Sequence, residues 1–139
     1  MNTPDRLELL RTAAVRAPCT KSLGLTLIEA GEGTCRILAR HDPAFDGLAP
    51  GFHGGMQAAV ADCVAWYAIA TVTGPEEPLV TTDLSIRYLS PAIGDLTLTG
   101  RVIKLGKTLC PVAIEAFDTA GKLVACGTVT YLRLGSFQK

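Results

Sequence analysis

The sequence predicts an α+β chain in which one long, nearly all-apolar helix is covered by a curved antiparallel sheet of about six strands. Three observations carry this. Residues 53–73, "HGGMQAAVADCVAWYAIATVT", contain a single charged side chain at neutral pH, Asp62, and a helix apolar on most faces is buried on most faces. Two alternating runs precede that segment and four follow it, and a period of two marks strands. Gly-containing turns between neighbouring runs permit antiparallel pairing, and one long helix needs a sheet curved around it.

The elements follow in order. Thr3 before Pro4 reads as an N-cap with proline at the first helical position, and Leu7, Leu10, Ala14 and Val15 recur on one face, which predicts a helix over about residues 4–16. "GLTLIEAGEGTCRILAR" is a hairpin around Gly31-Glu32-Gly33, with strands near 24–30 and 34–40. "HDPAFDGLAPGF" has no period and is dense in Pro, Gly and Asp, so it is a loop. The long helix should begin near His53 and stop at Gly74-Pro75. Strands then come from "LVTTDLSIRYLS", "DLTLTGRVIKLG", "CPVAIEAFD" and "LVACGTVTYLRL". In the first of these, Val80, Thr82, Leu84, Ile86 and Tyr88 are expected on one face and Thr81, Asp83, Ser85 and Arg87 on the other. "FDTAGKL" is the last hairpin turn, with Gly121 at its positive-φ position.

Composition narrows the function. The 139 residues form one predicted domain, and 13 basic side chains balance 13 acidic ones, so no field of one sign draws nucleic acid or an anionic membrane. The 48% of hydrophobic residues is assigned to a core or subunit interface, with no membrane span expected. Asp5, Arg6 and Glu8 interrupt what would be the apolar region of a secretory signal, so none is predicted. The five cysteines, at 19, 35, 63, 110 and 126, form no CxxC pair and are odd in number, which argues against a zinc site or disulfide framework and for reduced thiols in a cytoplasm.

"HGGMQAAVAD", "VTTDLSIRYLSPA" and "LGKTLCPVAIEAFDTAGKLVACG", in this order, resemble the hotdog-fold acyl-CoA thioesterases, in the PaaI-like branch typified by the phenylacetate-pathway enzyme. The likeness spans about residues 24–134, with residues 1–20 as an N-terminal helical addition. It implies a homodimer, often paired into a homotetramer, whose active sites are shared between chains, and acyl-CoA as the substrate. Residue by residue, it makes Gly54 the backbone N–H donor to the thioester oxygen, Asp62 the nucleophile or general base, and Thr81 a holder of the attacking water. It places His53 and Gly55 at the helix start beside the substrate. Gly106, Lys107, Thr108 and Leu109 fall where the family contacts coenzyme A, with Asp83 and Tyr88 as neighbours of the ligand. The family often carries an Asn shortly before HGG; here "FDGLAPGFHGG" offers Asp46 or Gly47 at the nearest position.

The chemistry also stands on the residues alone. Thioester hydrolysis needs donors for a developing oxyanion and a group that brings in water. A helix N-terminus has unpaired N–H groups and the positive end of the macrodipole, and Gly54-Gly55 removes side chains that would hold a carbonyl away. Asp62 comes eight positions after Gly54, about 12 Å at ~1.5 Å per residue, too far for one carbonyl to meet both. A site using both takes them from two chains with antiparallel central helices. His53 is read as a structural donor tying the loop to the helix start, Cys63 as buried filler, Trp66 and Tyr67 as core or acyl-pocket residues, and Lys107 as a phosphate contact or a turn lysine. No metal or cofactor is expected beyond the coenzyme A of the substrate. The competing readings are a hotdog module that binds acyl-CoA without turnover and, last, a dehydratase or hydratase, which would need an acid-base His.

Overall fold

The structure, a computed structural model, describes residues 3–137. It holds three α-helices, α1 (Thr3–Ala14), α2 (Pro18–Ser22) and α3 (Gly54–Thr73), and six strands: β1 (Leu25–Gly31), β2 (Thr34–Ala39), β3 (Leu79–Tyr88), β4 (Leu96–Val102), β5 (Leu109–Phe117) and β6 (Leu123–Arg133). The strands form one sheet in the order β1-β2-β4-β5-β6-β3, antiparallel throughout. Helix α3 fills its concave face, burying Val60, Val64, Ala65, Ala68 and Ile69 against Ile37, Leu98, Val112 and Val129. This is the architecture expected from the sequence.

Turn chemistry fixes the register. Gly33 and Gly121 take φ of 76° and 82°, as the two hairpin turns require. Asp118 closes the second turn by accepting from the N–H groups of Ala120 and Lys122 at 3.0 and 2.9 Å. Gly100 in β4 serves the helix rather than a turn, because a Cβ there would lie 3.0 Å from Val64 Cγ1 and 3.3 Å from the Ala68 Cβ. Its missing side chain lets α3 cross the sheet closely.

Several expectations need correction. Helix α1 stops at Ala14, so Leu10 and Ala14 are buried but Val15 leaves the face and is 76% exposed. The side chain of Thr3, expected as its cap, lies outside the described ones. Helix α2 has no counterpart among the expected elements; Pro18 starts it, and it is too short for a periodic signal. Helix α3 is long and apolar enough to cross a membrane by length and mean hydropathy alone, but ten of its 20 residues are buried within the fold.

The largest correction concerns β3. Its pairing with β6 slips between Thr81 and Asp83, so that Thr81 faces Tyr131 and Asp83 faces Thr130. One extra residue reverses the alternation. Leu79 and Thr81 therefore share the helix-facing side with Leu84, Ile86 and Tyr88, and Val80 and Asp83 lie on the outer side. Every residue there is compatible with a strand, so nothing local in the sequence marks the bulge. β3 is also an edge strand, with Val80, Leu84 and Tyr88 each more than two-fifths exposed.

Candidate active site

The start of α3 is built to present a backbone donor. His53 is the N-cap, and its Nδ1 accepts the Gly55 N–H at 3.0 Å. The ring is thus an acceptor toward the helix, where the sequence suggests a donor, and the neutral imidazole then carries its proton on Nε2. The His53 carbonyl accepts the Gln57 N–H at 2.9 Å. The Gly54 N–H has no acceptor among the described residues. Tyr88 donates its hydroxyl to the Gly54 carbonyl; burial pushes its phenol up, so it stays protonated and donating.

A side chain on either glycine would crowd a neighbouring ring. A Cβ on Gly54 would lie 3.2 Å from Tyr88 Cζ, and one on Gly55 3.1 Å from His53 Cε1. The loop before them is braced by a 2.6 Å contact between His41 Nε2 and Asp46 Oδ1 and by the bond from the His41 N–H to Asp95 at 2.8 Å. Asp46 is therefore engaged by His41. Gly47 lies against the cap, since a Cβ on it would be 3.4 Å from His53 Cδ2.

Two turns along α3, Asp62 is half-buried and faces β3 and β6. Thr81 donates Oγ1–H to Asp62 Oδ1 at 2.7 Å, and Tyr131 donates its hydroxyl to the Asp62 backbone carbonyl at 2.9 Å. The bulge in β3 is what turns Thr81 inward to make the first of these bonds. Burial pushes the Tyr131 phenol far up, so it remains a donor. Sequence reasoning missed Tyr131, because residue 131 reads only as an inward-facing strand aromatic. Cys63 lies beside Asp62 with its Sγ 3.9 Å from that of Cys19; burial, then the neighbouring thiol, pushes it up to about 12. It is a protonated thiol near neutral pH, in keeping with a filler.

Asp62 opens into a cleft of about 400 Å³ shared with Trp66, Thr81 and Tyr131. Gly54 and Tyr88 line a separate hollow of about 710 Å³ with Leu48 and Ile93. The two have no residue in common. The remaining expected residues divide between other places. Gly106, Lys107, Thr108 and Leu109 form the β4–β5 turn: Gly106 N–H donates to the Leu109 carbonyl at 3.1 Å, and Arg133 donates to the carbonyls of Gly106 and Thr108 at 2.8 and 2.7 Å. Because Leu109 pairs with Leu132, this turn lies at the Asp62 end of the sheet, and Tyr88 lies at the other end of β3. Asp83 sits on the outer face, accepting from Thr82 Oγ1 at 3.3 Å, away from both hollows. Among the described residues no three His, Cys, Asp or Glu side chains converge as a metal site would need.

A central helix with a free glycine N–H at its start, wrapped by six strands in this order, defines the hotdog class of thioester-processing folds. The chain belongs to the thioesterase superfamily, whose family model matches residues 51–125, more than half of it. The human acyl-coenzyme A thioesterase 13 is 34% identical over 113 residues, covering 76% of this chain and 77% of the relative. Among solved structures, the PaaI protein of the Escherichia coli phenylacetic acid degradation operon superposes with a TM-score of 0.83 at 22% identity, covering 94% of each chain. The thioesterase superfamily member 2 of Mus musculus gives 0.79 at 27% identity, over 95% of this chain and 98% of that one. The protein is a thioester hydrolase of the hotdog, PaaI-like kind.

Proposed function

We propose that the protein hydrolyses acyl-CoA thioesters by Asp62-assisted attack of water, at a site that takes Gly54 from one chain and Asp62 from another. The observation that carries this is the separation of the two groups: in one chain they face hollows with no residue in common. The exposed, ten-residue edge strand β3 supports pairing of two copies, since an unpaired apolar edge is a template for another strand. A twofold dimer, itself able to pair into a tetramer, lays the central helices antiparallel and brings each Gly54 opposite the other chain's Asp62.

In this site the substrate carbonyl accepts the Gly54 N–H at the positive end of α3. The outward Nε2–H of His53 supplies a second donor, a role the family often gives to an Asn and which neither His41-bound Asp46 nor Gly47 performs. Thr81 occupies Asp62 Oδ1 and leaves Oδ2 for the reaction. Asp62 then takes a proton from water as the water oxygen bonds to the acyl carbon, or attacks that carbon itself and is released by water. In both routes the C–S bond breaks, coenzyme A leaves as a thiol, and the acid keeps one water oxygen. Lys107 at the β4–β5 turn meets a phosphate of coenzyme A as a point charge. No metal or further cofactor takes part, and the five free thiols favour a reducing cytoplasm.

The test is release of free coenzyme A thiol from acyl-CoA by Asp62→Asn. Loss of the base or nucleophile is expected to lower kcat by about 10² or more with KM little changed. The melting temperature should hold, because Asn can still accept from Thr81. Chelator should leave wild-type turnover intact. Activity of Asp62→Asn within a few-fold of wild type would place the chemistry elsewhere.

A further inference from the structure

The cleft at Asp62 is closed on one side by the N-terminal helices. Ala13, Ala14 and Ala17, on α1 and at the start of α2, form a wall of methyl groups facing Cys63 and Trp66 of α3. Trp66 is held by an edge-to-face contact with Tyr67, ring centroids 5.2 Å apart and planes at 81°, so its indole is a fixed surface. Asp62, Thr81 and Tyr131 lie at one end of this space. An acyl carbon attacked with help from Asp62 must sit within a water's reach of it, so the acyl body has to occupy the volume that adjoins it.

That volume, about 400 Å³, is well over twice the ~150 Å³ that holds a benzene ring in a protein interior. Away from Asp62, Thr81 and Tyr131 its lining is alkyl side chains, the Trp66 and Tyr67 rings, two thiols and the threonine at 20. A charged or polyhydroxylated acyl group would leave its polar atoms without partners there, which disfavours it strongly. We propose that Ala13 and Ala17, on α1 and between α1 and α2, set the length limit of the acyl group that this cleft admits. This rests on the catalytic role proposed for Asp62.

Ala17 precedes α2 with φ −94° and ψ 114°, an extended conformation that a larger side chain adopts without strain. Leucine at 17 or 13 should therefore fill the pocket and spare the backbone. The experiment compares kcat/KM of wild type, Ala17→Leu and Ala13→Leu on acetyl-, hexanoyl-, decanoyl- and phenylacetyl-CoA. A mismatch of about one methylene costs roughly tenfold or more, so decanoyl-CoA should lose at least that factor relative to acetyl-CoA. A second readout needs no variant of the wall. Cys19 is exposed and lines the same cleft, so its alkylation by iodoacetamide, followed by mass spectrometry in Asp62→Asn protein, should be slowed by a non-hydrolysable decanoyl-ketone analogue of CoA and not by coenzyme A alone. Unchanged chain-length selectivity in both folded leucine variants, or Cys19 alkylation indifferent to the analogue, overturns the proposal. If Asp62→Asn is inactive when this happens, only the pocket assignment fails; an active Asp62→Asn removes the catalytic reading beneath it.

Discussion

Asp62 shows what a single charge in an apolar helix needs in order to persist. Its carboxylate takes one hydroxyl, from Thr81, and its carbonyl takes another, from Tyr131; the half-buried position leaves one oxygen available for chemistry. The neighbouring thiols behave oppositely. Burial pushes Cys35 and Cys63 up to about 12, above the ~8.5 of a free thiol. Their folded-state values are raised, so the folded protein holds protons that the unfolded chain releases. The associated stability is complete below about pH 8.5 and is lost as pH rises toward 12. Between pH 8 and pH 10 the two thiols together should reduce stability by about 4 kcal/mol, seen as a fall in melting temperature on the order of 10 °C. Cys35→Ala with Cys63→Ala should flatten that dependence, and an equal slope in the double variant would assign it to other groups.

At the scale of elements, the contact that matters most for the site is the crossing of α3 over β4. Gly100 permits it, and residues at 64 and 68 fill the space a side chain would need. Gly100→Ala is expected to destabilise by about 1–3 kcal/mol through overpacking, measured by urea denaturation, despite the better strand propensity of alanine. A neutral or stabilising result would mean that the helix can lift without loss. The bulge in β3 works at the same scale. Without it Thr81 would point outward, as simple alternation from Val80 predicts, and Asp62 would lose its hydroxyl partner.

For the whole molecule, the proposed sharing of Gly54 and Asp62 between chains makes a quantitative expectation. Gly54→Val blocks the carbonyl site through the nearby Tyr88 ring, and Asp62→Asn removes the carboxylate, so each homodimer has two defective sites. A mixed dimer collects both defects in one site and leaves the other whole. Random pairing makes half of the dimers mixed with one of two sites working, so co-refolding equal amounts should recover roughly one quarter of wild-type turnover, given the independent catalysis assumed for each site. Thioesterase rates after mixing, with dimer content checked, decide it. Absence of recovery from folded mixed dimers means both residues serve one chain's site.

The long helix and its stop at Gly74, the two hairpin turns, and the placement of a glycine pair and a carboxylate along α3 are all legible in the chain. Those features follow from period, capping and turn chemistry, which act over a few residues. Three ordered motifs pointed to the family as well. Other features exist only once the chain has packed: Thr81 faces inward, Tyr131 reaches the Asp62 carbonyl from 69 positions away, Asp83 lies on the outer face, and α1 and α2 wall the Asp62 cleft. Each of these depends on strand register or on packing between distant segments. Register shifts by one residue at a bulge without changing any local preference, so a pattern read along the chain carries no record of it.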